Sequence, residues 1–208
     1  MVSEKTNKNG TSTKMSSKKM IKENDLYSAA YELFITKGIH NTAIDDIVKK
    51  AGVAKGTFYL YFKDKYDIIN KIILQRSSMV LKEALQKTEE KQFDSFIDML
   101  LFYVDYIIEY FKENKLTLKL INKNFSWGVY RRAIMQPKQY DEMSELVETF
   151  ISNMKKLNMD EQEAEKTLFM IIELTGNVCY SSIILEEPYS IDEMKPILFK
   201  TIERMIRP

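Results

Sequence analysis

The chain has 208 residues, of which 45% are hydrophobic and 29% charged, a composition that is ordinary for a globular protein and argues against wholesale disorder. A single cysteine, Cys179, excludes an internal disulfide, and with one histidine, His40, the sequence predicts no Cys/His metal site and no cofactor. The formal net charge of +1 hides an asymmetry, because the first 70 residues contain 12 lysines and 8 acidic residues, a net charge of +4. A basic front on a mildly acidic remainder indicates a segment that faces a polyanion.

The pattern along the chain predicts an all-α fold. Residues 1–19, rich in Ser, Thr, Asn and Lys, are expected to form a disordered basic arm. A first amphipathic helix follows and stops at Gly38, and Thr42 to Asp45 resembles a capping box for the second helix. Apolar residues at helical spacing predict the remaining helices at about 43–51, 55–61, 64–85, 93–112, 116–123, 138–157, 160–186 and 190–206. Only 6 glycines and 4 prolines are present, too few to punctuate a many-stranded sheet.

The most apolar stretch is 168–185. It carries Glu173, Asn177 and Gly176, so we expect a helix buried in protein rather than a lipid span. The first twenty residues are polar and do not look like a signal peptide. We therefore expect a cytoplasmic protein without a membrane partner.

Three short helices occur within 45 residues, the second and third joined by a turn at Gly52, which matches a helix-turn-helix. On this pattern alone, an ordinary αα-hairpin of a helical bundle stays open. The run from Thr42 to Lys65, TAIDDIVKKAGVAKGTFYLYFKDK, closely resembles the DNA-binding signature of the TetR family, as does the upstream pattern of Ala29, Ala30, Leu33, Phe34 and Gly38. The resemblance covers about residues 22–70. It implies a helix-turn-helix DNA-binding domain at 20–66 and an effector-binding and dimerisation domain at 67–208.

Candidate DNA contacts follow from the chemistry of the motif. Gly56 lets the backbone approach DNA closely, while Lys55 and Thr57 on the first turn can reach base edges. The resemblance implies phosphate contacts for Tyr59 and Thr42. At the entry to the fourth helix, Lys63 and Lys65 are expected to place cations beside the phosphates. Tyr61 departs from the histidine common in the family, and phosphate contact, base contact and packing all remain open for it.

The second part of the chain is rich in aromatic residues at helical spacing, and two interpretations stay open. They are simply core, or several of them line an apolar cavity with a few polar anchors. The candidates for a cavity are Tyr103, Tyr106, Glu173 and Asn177 as polar groups, with Trp127 and Met170 as walls. The resemblance also implies a homodimer through 160–206. For that interface we expect the small-residue stripe of Ile172, Thr175, Gly176, Cys179 and Ile183.

The motifs of common enzymes are absent: the chain has no GxSxG, GxGxxG or P-loop sequence, so no enzyme activity is predicted. The resemblance implies a dimeric regulator, most simply a repressor, of a palindromic double-stranded DNA operator. An apolar or amphipathic small-molecule effector would release it, with the fourth helix as the lever. The alternative is a DNA-binding factor of the same fold controlled by a protein partner, which a body without a cavity would favour. Repressor and activator are not distinguished by the residues.

Overall fold

The computed structural model describes residues 9–124, 130–131 and 141–207, and all regular secondary structure among them is helical. The all-α prediction is confirmed. The helices are α1 (Asn9–Lys37), α2 (Ile44–Lys50), α3 (Lys55–Tyr59), α4 (Lys65–Glu89), α5 (Phe96–Glu113), α6 (Lys115–Asn124), α7 (Asp141–Lys156), α8 (Glu161–Cys179), which continues as a π-helical segment (Tyr180–Leu185), and α9 (Ile191–Ile206).

The chain divides into two compact units, Met1–Ile72 and Ile73–Pro208. Helix α4 contributes its first residues to the first unit and the others to the second, so the first unit extends beyond the expected boundary at residue 66. Helix α1 also begins earlier than expected, at Asn9, within the segment predicted to be a disordered arm. A helix that has already formed adds one hydrogen bond for each further residue, so a polar sequence can continue it where composition alone indicates disorder.

The first unit is a three-helix arrangement closed by the start of α4. Its core combines the apolar stripe of α1 with one face of each short helix: Leu26, Ala30, Phe34, Ile47, Phe58, Phe62 and Ile68 are at most 3% exposed. The turns after α1 and α2 contain Gly38 and Gly52, which have φ angles of +79° and +67°. Because side chains disfavour this left-handed region, glycine permits both helix ends.

The second unit is built around α5, α7, α8 and α9. Its most buried side chains come from all four helices and include Ile108, Phe150, Met154, Ala164 and Ile202, each at most 2% exposed. Helices α8 and α9 each begin at a side-chain cap: Asp160 accepts a hydrogen bond from the Glu163 backbone N–H, and Ser190 accepts one from the Glu193 backbone N–H.

The segment Glu161–Leu185 is long and apolar enough to cross a membrane by length and composition, and it is the one such helix among the described residues. Its buried residues include Ala164, Leu168, Ile171 and Cys179, which all belong to the core cluster of the second unit. One face of this segment therefore packs in the core of the second unit.

The small-residue stripe of α8 does not form the expected outer surface. Cys179 is fully buried, and Thr175 and Ile183 are 7% and 4% exposed within a single chain. A residue that is already covered by its own chain cannot contact a second copy. The prediction of a dimer interface is therefore wrong for Thr175, Cys179 and Ile183, whereas Ile172 and Gly176 are half-buried in the single chain.

Candidate functional sites

Helix α3 presents a short polar surface on the first unit. Lys55, Gly56 and Tyr59 are exposed, and Tyr59 reaches 54%. Phe58 is fully buried and anchors the helix through ring contacts with Tyr59 and Phe62. Since successive helical residues are about 100° apart, Lys55 and Tyr59 lie about 40° from each other around α3 and share one side of the helix.

Gly56 stands in open space. A Cβ placed on it would meet no atom within 4 Å, so packing within the protein does not require a glycine here. The backbone of Gly56 is exposed to solvent and is not covered by a side chain. That arrangement suits the close approach of another molecule to the first turn of α3.

Lys55 forms an ion pair that sequence reasoning missed. Its Nζ lies 2.8 Å from Oδ1 and 3.1 Å from Oδ2 of Asp45 on α2. The hydrogen bond to Asp45 raises the pKa of Lys55, so the ammonium stays charged. The pair is exposed, with both side chains more than half accessible, and it is open to exchange with another anion.

The cap of α2 explains why Asp45 is available. The N-cap residue is Ala43, one position later than predicted, and Asp46 rather than Asp45 returns to accept a hydrogen bond from the Ala43 backbone N–H at 3.2 Å. The capping box expected from Thr42 to Asp45 is therefore wrong by one residue. Asp45 is left on the outer side of α2, where it meets Lys55.

Thr42 and Lys65, both predicted to contact phosphate, are held by hydrogen bonds within the first unit. Thr42 is 1% exposed, and its Oγ1 donates to the Gly38 carbonyl at 2.8 Å. The Lys65 ammonium donates to the carbonyls of Ile39, His40 and Thr42 at 2.9, 3.3 and 3.3 Å. Together they fasten the loop between α1 and α2. We assign both side chains a structural role.

The remaining candidates of this surface are Thr57, Tyr61 and Lys63. Lys63 is exposed, and its backbone N–H donates to the Asp67 carboxylate at 2.9 Å. Thr57 is half-buried beside Phe58. Tyr61 is also half-buried, with its ring centroid 6.3 Å from that of Phe62, an arrangement that favours packing among the three roles left open for it.

The second unit contains a cavity of about 220 Å³ between α4, α5, α6 and α8. Its walls are mostly aliphatic and aromatic, with Val80, Leu100, Val104, Phe111, Leu118 and Ile171 among them. An engineered apolar cavity of about 150 Å³ is large enough to bind benzene. The cavity is therefore of a size that holds a small organic molecule.

Of the six residues predicted to bind a ligand, Tyr103, Glu173 and Asn177 line the cavity. Tyr106 and Met170 do not line it. Tyr106 instead donates its hydroxyl to Glu83 at 3.1 Å, and Met170 is 48% exposed. Both residues therefore lie on a face of their helix that does not line the cavity. The spacing of apolar residues shows that a helix has a buried face, but it does not show which residues of that face border a cavity. Trp127 lies outside the described residues.

Four polar lining residues were missed: Ser77, Asn122, Tyr130 and Thr175. Tyr130 is buried, and burial raises the pKa of its hydroxyl well above the ordinary value, so it remains a neutral phenol. Thr175 is 7% exposed, and among the described atoms its Oγ1 has no hydrogen-bond partner. The available signal was the spacing of Leu168, Ile171 and Thr175 at i, i+3 and i+7, which places Thr175 on the inner face of α8.

Residues 26–72 match the family model described as "Bacterial regulatory proteins, tetR family". This range contains α2, α3 and the exposed surface around Lys55. The first unit therefore carries a DNA-binding domain of the TetR family.

Relatives of this chain include the fatty acid metabolism regulator protein of Bacillus subtilis (strain 168), 35% identical over 66 residues. The match covers 32% of the chain and only 34% of that protein. The HTH-type transcriptional regulator YvdT of the same organism is 27% identical over 87% of the chain and 93% of its own length. The relatives are transcriptional regulators, not enzymes.

A solved structure with the same fold is the transcriptional regulator FadR from Bacillus subtilis in complex with stearoyl-CoA, with a TM-score of 0.60 and 16% identity. The match covers 86% of this chain and 96% of FadR. Since the match extends well beyond residues 26–72, the likeness of fold includes helices of the second unit as well as the first.

Proposed function

We propose that this TetR-family chain is a cytoplasmic, homodimeric repressor that binds a palindromic DNA operator and leaves it when a small apolar or amphipathic effector binds. The observation that carries the proposal is the cavity of about 220 Å³ in the second unit of a chain whose first unit is the family's DNA-binding segment. The alternative, control by a protein partner, predicted a body without a cavity. The cavity therefore supports a small-molecule effector.

The proposed DNA contacts are the exposed groups at and after the start of α3. Lys55 and Thr57 read base edges, and Gly56 allows the backbone to come close. Tyr59 and Lys63 hold phosphates, which position the protein without reading sequence. Thr42 and Lys65 support the surface from within, and Tyr61 packs against it.

The proposed dimer interface uses the outer faces of α8 and α9 and the turn between them. Exposed large apolar side chains occur there: Met170 is 48% exposed, Leu185 54%, Tyr189 59% and Ile197 61%. Such side chains gain stability when a second copy covers them. A two-fold dimer also matches the symmetry of a palindromic operator, whose half-sites lie about one helical turn apart.

Helix α4 is the proposed lever. Ser77, Val80 and Leu81 of this helix line the cavity, while its first residues, up to Ile72, belong to the first unit. A ligand that displaces these side chains would act on a helix shared by both units. To shift the equilibrium between the released state and the DNA-competent state from 1:99 to 99:1, the effector must bind the released state about 10⁴-fold more tightly, a difference of about 5.5 kcal/mol.

Two measurements test the proposal. Selection from random duplexes, followed by fluorescence anisotropy, should yield a palindrome bound by two chains, with an affinity that falls steeply as salt rises. Titration of an effector should then release this duplex, and the operator should weaken effector binding by the same factor. Binding of all duplexes with equal affinity would contradict the DNA assignment. If a broad panel of apolar ligands leaves the melting temperature of the protein unchanged, the alternative of control by a protein partner would be favoured.

A further inference from the structure

Three of the polar residues that line the cavity lie on α8, and they occupy different faces of that helix. Thr175 lies on the buried face of the helix, whereas Glu173 is half-buried and Asn177 is exposed. At about 100° per residue, Thr175 and Glu173 are about 200° apart around the helix axis. The mostly apolar cavity thus has a buried hydroxyl at Thr175 and, on a more exposed side of α8, the acidic residue Glu173.

The charge at the outer side is negative and is not neutralised by a described neighbour. Among the lining residues that the structure describes, Glu173 is acidic and no lysine, arginine or histidine is present. Glu173 forms no ion pair with any described residue, and its Oε2 is 3.5 Å from the Asn177 amide. A carboxylate beside apolar walls attracts a cation and repels an anion, more strongly than it would in water.

A buried polar group of the cavity wall, the Thr175 hydroxyl, is unsatisfied among the described atoms. The lack of a hydrogen-bond partner for this buried hydroxyl costs free energy in the empty protein. A ligand hydroxyl or carbonyl that reaches this atom would remove the cost. The observation is independent of the charge at Glu173.

The α8 wall of the cavity is kept open by a glycine. A Cβ on Gly176 would meet nothing within 4 Å, although alanine is the more favourable residue inside a helix. Gly176 also keeps its carbonyl in contact with Asn122, whose Nδ2 donates to it at 3.3 Å. The space over Gly176 is therefore available to a ligand.

From these observations we propose that the effector is a compact amphipathic cation. Its protonated amine lies at Glu173, its apolar body lies against Gly176 and the aliphatic walls, and a polar group at its other end meets Thr175. The cavity of about 220 Å³ is below the roughly 300–1,000 Å³ of common ligand pockets. A compact ligand with one ring and a short chain suits this volume. The inference rests on the proposed function in taking the cavity as the effector site.

The test uses the full chain and three probes with the same body: 4-phenylbutylamine, 4-phenylbutanol and 4-phenylbutanoate. At pH 7 the first is a cation, the second neutral and the third an anion. Isothermal titration should give the lowest dissociation constant for the amine, roughly tenfold below that of the carboxylate, since the Glu173 carboxylate attracts the ammonium group and repels the carboxylate probe. Glu173→Gln should abolish this preference and leave the alcohol unchanged. Glu163→Gln, an exposed change on the same helix outside the cavity, is the matched control.

Two further variants examine the inner wall. With 4-(4-hydroxyphenyl)butylamine, wild type should bind roughly three- to tenfold more tightly than with 4-phenylbutylamine, and Thr175→Val should remove the difference. Gly176→Ala should raise the melting temperature of the ligand-free protein while weakening every probe, because the new methyl group occupies ligand space.

Several results would overturn the inference: tighter binding of the carboxylate than of the amine, an unchanged amine affinity in Glu173→Gln or in Gly176→Ala, or no binding of the amine at its solubility limit. If the carboxylate binds best and releases the operator, the cation inference fails and the proposed function stands. If the amine binds as expected but leaves operator affinity unchanged, the inference stands and ligand control of DNA binding fails.

Discussion

Lys55 Nζ lies 2.8 Å from Asp45 Oδ1, so a carboxylate of α2 neutralises the cation at the start of α3. Both side chains are exposed, and the pair joins the two helices of the helix-turn-helix. A base or phosphate that binds Lys55 must compete with Asp45. The pair thus sets the charge that the first turn of α3 shows to DNA.

The first prediction concerns this pair. Lys55→Ala should cost roughly 1–3 kcal/mol of operator binding and relax the preference at one base pair, because a base contact is lost. Asp45→Asn should strengthen binding to operator and random duplexes alike, since it removes a negative charge near the phosphates. Fluorescence anisotropy on both duplexes over a salt series measures these effects. Equal losses on both duplexes for Lys55→Ala would make Lys55 a phosphate contact.

The second prediction separates Lys65 from Lys63. Lys65→Met should lower the free energy of unfolding by about 1.5–3 kcal/mol, because three carbonyls of the loop after α1 lose a charged donor. Lys63→Met should leave the melting temperature unchanged and reduce the salt slope of DNA binding by about one contact. Urea unfolding and salt titrations give the two readouts. A free energy of unfolding of Lys65→Met equal to that of the wild type would contradict the structural role and favour a DNA contact for Lys65.

The third prediction concerns the thiol of Cys179. Burial raises the pKa of this thiol to about 12, while the positive charge of Lys195 opposes the shift. The thiolate is the reactive form, so a folded chain at pH 8 should react with a disulfide reagent only as fast as it opens. Chain unfolded in guanidinium should react at once and serves as the control. Rapid labelling of the folded protein would contradict the burial of Cys179.

The fourth prediction places the dimer on the outer face of α8 and α9. Ile197→Asp should give monomers in light scattering, because an acidic side chain would replace a residue that is 61% exposed in the single chain and covered in the dimer. Leu116→Asp is the matched control: Leu116 is 52% exposed but lies on α6, outside the proposed face. It should remain a dimer. Dimers of unchanged stability for Ile197→Asp would contradict the proposed interface.

The local sequence pattern was sufficient to predict the order of the helices and the exposed residues at the start of α3. The period of apolar residues predicted α5, α6, α7 and α9 to within three residues at each end. The resemblance of residues 42–65 identified Lys55, Gly56, Tyr59 and Lys63, all of which the structure leaves exposed. These features depend on neighbours in the chain, which a sequence displays directly.

Contacts between distant residues were decided only by the tertiary structure. Lys65 and Lys63 are both cations at the start of α4, yet one is bound by carbonyls 23 to 26 residues earlier in the chain and the other is exposed. Likewise, Tyr103 and Tyr106 are a helical turn apart, but only Tyr103 lines the cavity. Sequence by itself determined which segments are helical and that the chain carries a TetR-type DNA-binding motif. Which face of α8 meets the core, and so where its cavity and its free outer surface lie, required the packing of several helices, because periodicity identifies an apolar stripe but not the partner that covers it.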